Sequence, residues 1–118
     1  KLWIEKIKNK MPSNCNIIYK ELIYNGEYSN AVSIGNKKYD IIIIDGRDRN
    51  NSLLKSVNYL SPEGVIVFDN SYLQNYQESI NKVLNQGFKK LDFYGIGPVA
   101  AHTSCTSILY RNNNCLNI

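Results

Sequence analysis

Two apolar runs in this sequence end in acidic residues. Ile41–Ile44 opens into Asp45-Gly46, and Gly64–Phe68 opens into Asp69-Asn70. Carboxylate and amide oxygens brought to one point are the ligands a hard cation such as Mg²⁺ takes, usually with several waters besides. Asp45 is the first candidate for chemistry, because four isoleucines in a row have the pattern of a parallel strand covered on both faces. In open α/β sheets the ligand crevice lies outside the carboxyl ends of such strands. The plainer reading is that Asp and Asn after a strand merely form turns or cap helices. His102, the only histidine, offers a general base or an acceptor contact, or serves as an ordinary polar loop residue.

These residues need a scaffold that holds them at one end of a sheet. The spacing predicts an amphipathic helix over Leu2–Met11, with Trp3, Ile4, Ile7 and Met11 on one side and Pro12-Ser13 as its stop. A short strand is expected at Asn16–Lys20, then a loop-rich stretch over Asn25–Lys38 with room for a short helix in Tyr28–Ile34. After the isoleucine strand a helix is expected from about Asn51 to Leu60, capped by Asn50 or Asn51. Ser61-Pro62-Glu63-Gly64 reads as a turn into the second strand, and Asn70 or Ser71 as the cap of a helix over Tyr72–Gln86 that Gly87 ends. Phe88–Tyr94, a turn at Gly95-Ile96-Gly97-Pro98, and Ser104–Arg111 read as an antiparallel hairpin.

The alternation predicts an α/β fold: a Rossmann-like, mostly parallel sheet with flanking helices and a carboxyl-terminal antiparallel hairpin. Asp45 and Asp69 then stand one strand–helix–strand unit apart, at the same end of strands spaced by about 4.8 Å. One domain is expected over 1–111, with a disordered polar tail at 112–118. The chain begins with Lys1 inside an apparent helix, which reads as a chain cut at its start.

Composition narrows the functional classes. Hydrophobic residues make up 43% and charged residues 20%, and no apolar run approaches the ~20 residues of a membrane span. The net charge of +4 is spread along the chain without one basic face, which argues against nucleic acid as a partner. Three cysteines, Cys15, Cys105 and Cys115, form no CxxC pair, and no signal-peptide pattern is present; a cytoplasmic protein fits.

YDIIIIDG, SPEGVIVFDN, GFKKLDFYGIGP and CTSILYR, in this order and spacing, resemble the carboxyl-terminal part of a class I S-adenosylmethionine-dependent methyltransferase. The terminal hairpin resembles that superfamily's last two strands. Within it, the nearest motif is that of metal-dependent O-methyltransferases, which have an Asp ending the fourth strand and an Asp-Asn pair ending the fifth. The resemblance implies methyl transfer to an oxygen or nitrogen of a small-molecule acceptor. It also implies Asp45 and Gly46 on the cofactor side, and Asp45, Asp69 and Asn70 around a divalent cation that binds the acceptor oxygen.

The sequence departs from that pattern in two places. Those families commonly carry a basic lysine three residues after the first Asp, where this chain has Asp48, flanked by Arg47 and Arg49. Asp48 inherits the candidate base position, and the arginines either clamp an anionic acceptor or pair with Asp48. The glycine-rich cofactor loop is absent; Gly95-Ile96-Gly97 follows the wrong strand and precedes no helix. The chain is therefore expected to bind S-adenosylmethionine weakly or not at all. Two other classes compete: a non-catalytic interaction module of the same fold, associating through an exposed sheet edge, and a phosphoacceptor domain of the response-regulator kind. The latter wants a Ser or Thr ending the second strand and a Lys ending the next, and this chain supplies neither.

Overall fold

The computed structural model describes residues 2–97, 99 and 101–118; Lys1, and Pro98 of the expected turn, lie outside them. Helix α1 (Leu2–Lys8) is followed by a 3-10 turn at Ala31–Ser33 and strand β1 (Tyr39–Ile44). Then come α2 (Arg49–Ser56), β2 (Leu60–Phe68), α3 (Gln77–Leu84), β3 (Lys89–Ile96) and β4 (Thr103–Tyr110). The sheet order is β1-β2-β4-β3. β1 and β2 are parallel, while β4 is antiparallel to both β2 and β3. Three strands thus share one direction, and the last strand inserts between two of them. The α/β class, the flanking helices and the hairpin agree with the sequence reading.

The core lies on one face of this sheet. Leu53 of α2 and Ile80 and Val83 of α3 pack against Ile44, Ile66, Phe68 and Leu109. Each such side chain contributes about 1.5–3 kcal/mol by leaving water. Phe68 meets Tyr76 edge-on, ring centroids 5.4 Å apart. The isoleucine run is not covered on both faces: Ile44 is buried and Ile42 packs on the core, but Ile41 and Ile43 are 50% and 69% exposed. β1 is an edge strand, and α2 and α3 cover only the face to which Ile42 and Ile44 point.

Several boundaries move. Asn16–Lys20 forms no strand in the sheet, and α1 ends at Lys8 with Trp3 exposed. The expected Ser61–Gly64 turn lies inside β2 as a register break: Tyr39 pairs with Leu60, yet Ile41 pairs with Val65. Pro62 donates nothing to a ladder, which suits an interruption. A Cβ on Gly64 would stand 2.6 Å from Leu60 Cγ, so only glycine fits this close approach. The Cys115 N–H donates to the Glu63 carbonyl at 2.7 Å. The tail is therefore docked on the interrupted strand, not disordered, and Asn114 is buried with its side chain bonded to Arg111 O and Ile118 O.

The helix starts shift as well. Neither Asn50 nor Asn51 caps α2; the cap is Asp48, in the left-handed region at φ 49°. α3 starts five residues later than expected, after a 3-10 turn at Gln74–Tyr76. Asn70 turns the chain at φ 54° instead of capping it, and asparagine tolerates that conformation. β3 runs on through Gly95 and Ile96, because both continue the ladder opposite Ser104 and Thr103. Among the described residues, no helix is long and apolar enough to cross a membrane.

Candidate functional site

The carboxyl ends of β1 and β2 lie side by side, with Ile44 opposite Phe68. The Asp69 N–H extends this ladder by donating to the Ile44 carbonyl at 3.1 Å. Asp45, Asp69 and Asn70 therefore converge as the sequence predicts. What stands where they converge is Arg49, the first residue of α2, with only 11% of its side chain exposed. Its Nε donates to Gly46 O at 2.8 Å. Nη1 donates to Asp69 O at 2.5 Å and to Asn70 Oδ1 at 2.8 Å. Nη2 donates to Asp45 O and Asp45 Oδ1, both at 3.2 Å. All five guanidinium N–H groups thus have acceptors, and Asp69 Oδ2 lies a further 3.6 Å from Nη1.

These residues do not fit a divalent cation as expected, because a guanidinium stands where they converge: Asp45 Oδ1 and Asn70 Oδ1 accept from Arg49, and Asp69 Oδ2 faces its charge. Among the described residues, no group of three or more His, Cys, Asp or Glu side chains is placed to hold a metal ion. Nor does Arg49 pair with Asp48, the partner the sequence offered.

Asp48 is not positioned as a base. It is buried, its Oδ2 accepts from the Asn25 N–H at 2.8 Å, and its Oδ1 accepts from Asn51 Nδ2 at 2.6 Å. Lys55 reaches the same loop through Asn25 O and Ser29 Oγ. Together they tie the 25–29 loop to α2. That loop delivers Tyr28, whose hydroxyl accepts from the Arg47 N–H at 3.2 Å. A Cβ on Gly46 would meet this hydroxyl at 1.9 Å, so a side chain there would displace Tyr28 from the Arg47 N–H.

Asp69 is the more enclosed carboxylate, 31% exposed against 68% for Asp45. Burial pushes its carboxyl up. The Thr106 hydroxyl at 2.5 Å, the Asn70 N–H and the charge of Arg49 outweigh that and hold it below the usual range. β4 enters at this end of the sheet, since Phe68 pairs with Ser107. His102, just before β4, therefore opens on the same end, with its Nε2 3.2 Å from the Tyr72 hydroxyl. Deeper in, the Ser71, Cys105 and Ser107 side chains form a buried polar chain that reaches Asp92.

Along the free edge of β1 runs a cavity of ≈ 430 Å³, lined among others by Tyr28, Ile42, Ile44, Asp45, Gly46 and Arg47. Pockets of roughly 300–1,000 Å³ hold small ligands. Asp45 belongs both to this wall and to the arginine cluster. The sequence reading missed Arg49 as organiser, although its spacing of four from Asp45 was a signal. It also missed Tyr28 and Thr106, which reach the site only through tertiary contacts and leave no local trace.

No family model and no curated protein matches the chain by sequence. Among solved structures, the chain is similar to a proposed O-methyltransferase from Klebsiella pneumoniae, with a TM-score of 0.52 and 16% identity. The match covers 74% of this chain and 47% of the other, so the chain spans about half the length of that structure. The fold is methyltransferase-like. This methyltransferase-like sheet, with its antiparallel β4 between β2 and β3, does not have the strand arrangement of a response-regulator receiver.

Proposed function

We propose that this chain forms the acceptor side, and one wall of the cofactor site, of an S-adenosylmethionine-dependent methyltransferase acting on an oxygen or nitrogen of a small molecule. The observation that carries the reading is Asp45, which joins the β1-edge cavity to the polar crevice at the strand ends. The fold similarity to a proposed O-methyltransferase supports it. Asp45, Gly46 and Tyr28 would hold the cofactor, which when bound supplies an electrophilic methyl group on a sulfonium. Ile42 and Ile44 keep water from that wall. Asp45 accepts the O–H or N–H of the acceptor and fixes its lone pair in line, an effect worth up to roughly 7–11 kcal/mol. Asp45, or the Tyr72–His102 pair, would take the proton that the acceptor atom loses on methylation.

The test is amide chemical-shift mapping with S-adenosylhomocysteine. Weak, millimolar shifts confined to Tyr28, Ser29 and Ile44–Arg47 are expected, because the glycine-rich loop is not in this chain. Shifts elsewhere, or none, would overturn the reading.

A second reading, a non-catalytic interaction module, is favoured by the exposed Ile41 and Ile43 on an edge strand. It requires self-association through β1. A monomer in sedimentation at high concentration would count against it.

A further inference from the structure

We infer that Arg49 is a built-in substitute for a divalent cation, so that the strand-end crevice is a metal-independent site organised by a fixed guanidinium. Three observations carry this. Converging on Arg49 are the Asp45 carboxylate and the Asn70 amide oxygen as acceptors and the Asp69 carboxylate as an ion-pair partner at 3.6 Å, the donor set a hard cation would use. The guanidinium has no N–H to spare, because its five donors are taken by Gly46, Asp45, Asp69 and Asn70. It is also held from behind: its side chain is mostly enclosed and the Tyr76 ring centre lies 5.9 Å away.

A cation entering here must displace a charge-complementary partner with five hydrogen bonds, anchored by its own backbone at the start of α2. Arg49 cannot dissociate as a metal does, and a guanidinium keeps its charge. It acts through Asp45 and Asp69 and leaves no donor for the acceptor, which makes it a positioning residue. Two carboxylates and one guanidinium leave the crevice with a net negative charge. It therefore suits a neutral or cationic acceptor group, a hydroxyl or an amine, better than an anionic one. The catalytic meaning rests on the methyl-transfer reading; the exclusion of metal rests on the geometry alone.

Mn²⁺ added to the isolated chain tests it through paramagnetic broadening of the Asp45, Asp69 and Asn70 amide signals. The wild type is expected to show no saturable broadening. Arg49→Met, with similar length and no charge, is expected to gain saturable Mn²⁺ binding that Asp69→Asn in the same chain removes. Arg49→Lys keeps the charge and is expected not to gain it. Saturable binding by the wild type, no gain in a folded Arg49→Met, or an equal gain in Arg49→Lys would each overturn the inference. If Arg49→Met does not fold, the wild-type and Arg49→Lys results decide. Failure of S-adenosylhomocysteine to shift the cavity amides would remove the methyl-transfer reading and leave the Mn²⁺ result untouched.

Discussion

Two polar clusters sit at the same end of this sheet, and they are stabilised in different ways. Between β1 and β2, Arg49 gathers two carboxylates that are partly open to water, 31% and 68% exposed. Between β2, β4 and β3, Ser71, Cys105 and Ser107 are buried and pass hydrogen bonds to Asp92, which Lys90 closes at 3.0 Å. The first cluster depends on charge and faces a cavity. The second depends on hydroxyls, and its outlet is an ion pair at the edge strand. A protein that only had to satisfy strand ends could use hydroxyls at both. The charged and accessible cluster is the one on which the methyl-transfer reading rests.

Removing the arginine should have the largest effect. Arg49→Met is expected to destabilise the chain by about 2–3 kcal/mol in urea unfolding, less than the ~3–5 of a fully buried pair because water screens Asp45. A loss under 1 kcal/mol would show that the carboxylates do not need it. Ser107→Ala should cost about 1.5–2 kcal/mol, since it leaves Asp92 without its buried donor. Thr106→Val should cost about 1 kcal/mol through Asp69, and unchanged stability would remove that hydrogen bond from the account.

The smallest effect is on acid stability. Burial pushes both Asp69 and Asp92 up, but hydrogen bonds and neighbouring cations win and hold both below the ordinary 3.8. As pH falls, the unfolded chain therefore takes up these protons first. The stabilisation is complete above about 3.8 and disappears as pH drops through the lower folded values. Thr106→Val should flatten the part due to Asp69, and Ser107→Ala the part due to Asp92. Parallel acid-unfolding profiles for wild type and both variants would contradict this.

Much of the fold was legible because periodicity reports burial. The isoleucine run and GVIVF marked β1 and β2, and the lack of a helix between the last two strands marked the hairpin of β3 and β4. Coverage was harder to read: four isoleucines do not say which face has a partner, and Ile43 proved exposed. Helix starts were misread because Asp48 and Asn70 adopt left-handed backbone, which residue type permits but does not announce. The convergence of Asp45, Asp69 and Asn70 followed from topology. That Arg49 fills the space between them did not, because a side chain's reach across two strand ends is set by packing. The same holds for Asp48, whose carboxylate turns to the 25–29 loop.

The most direct measurement of the central claim is the proton NMR of the arginine side chains. If Arg49 is the locked centre of the crevice, its Nε–H and its Nη protons should be separately resolved, slow to exchange, and unaffected by excess Mg²⁺, while those of exposed Arg47 average and exchange freely. Averaged, rapidly exchanging Arg49 signals, or signals released by Mg²⁺, would contradict it.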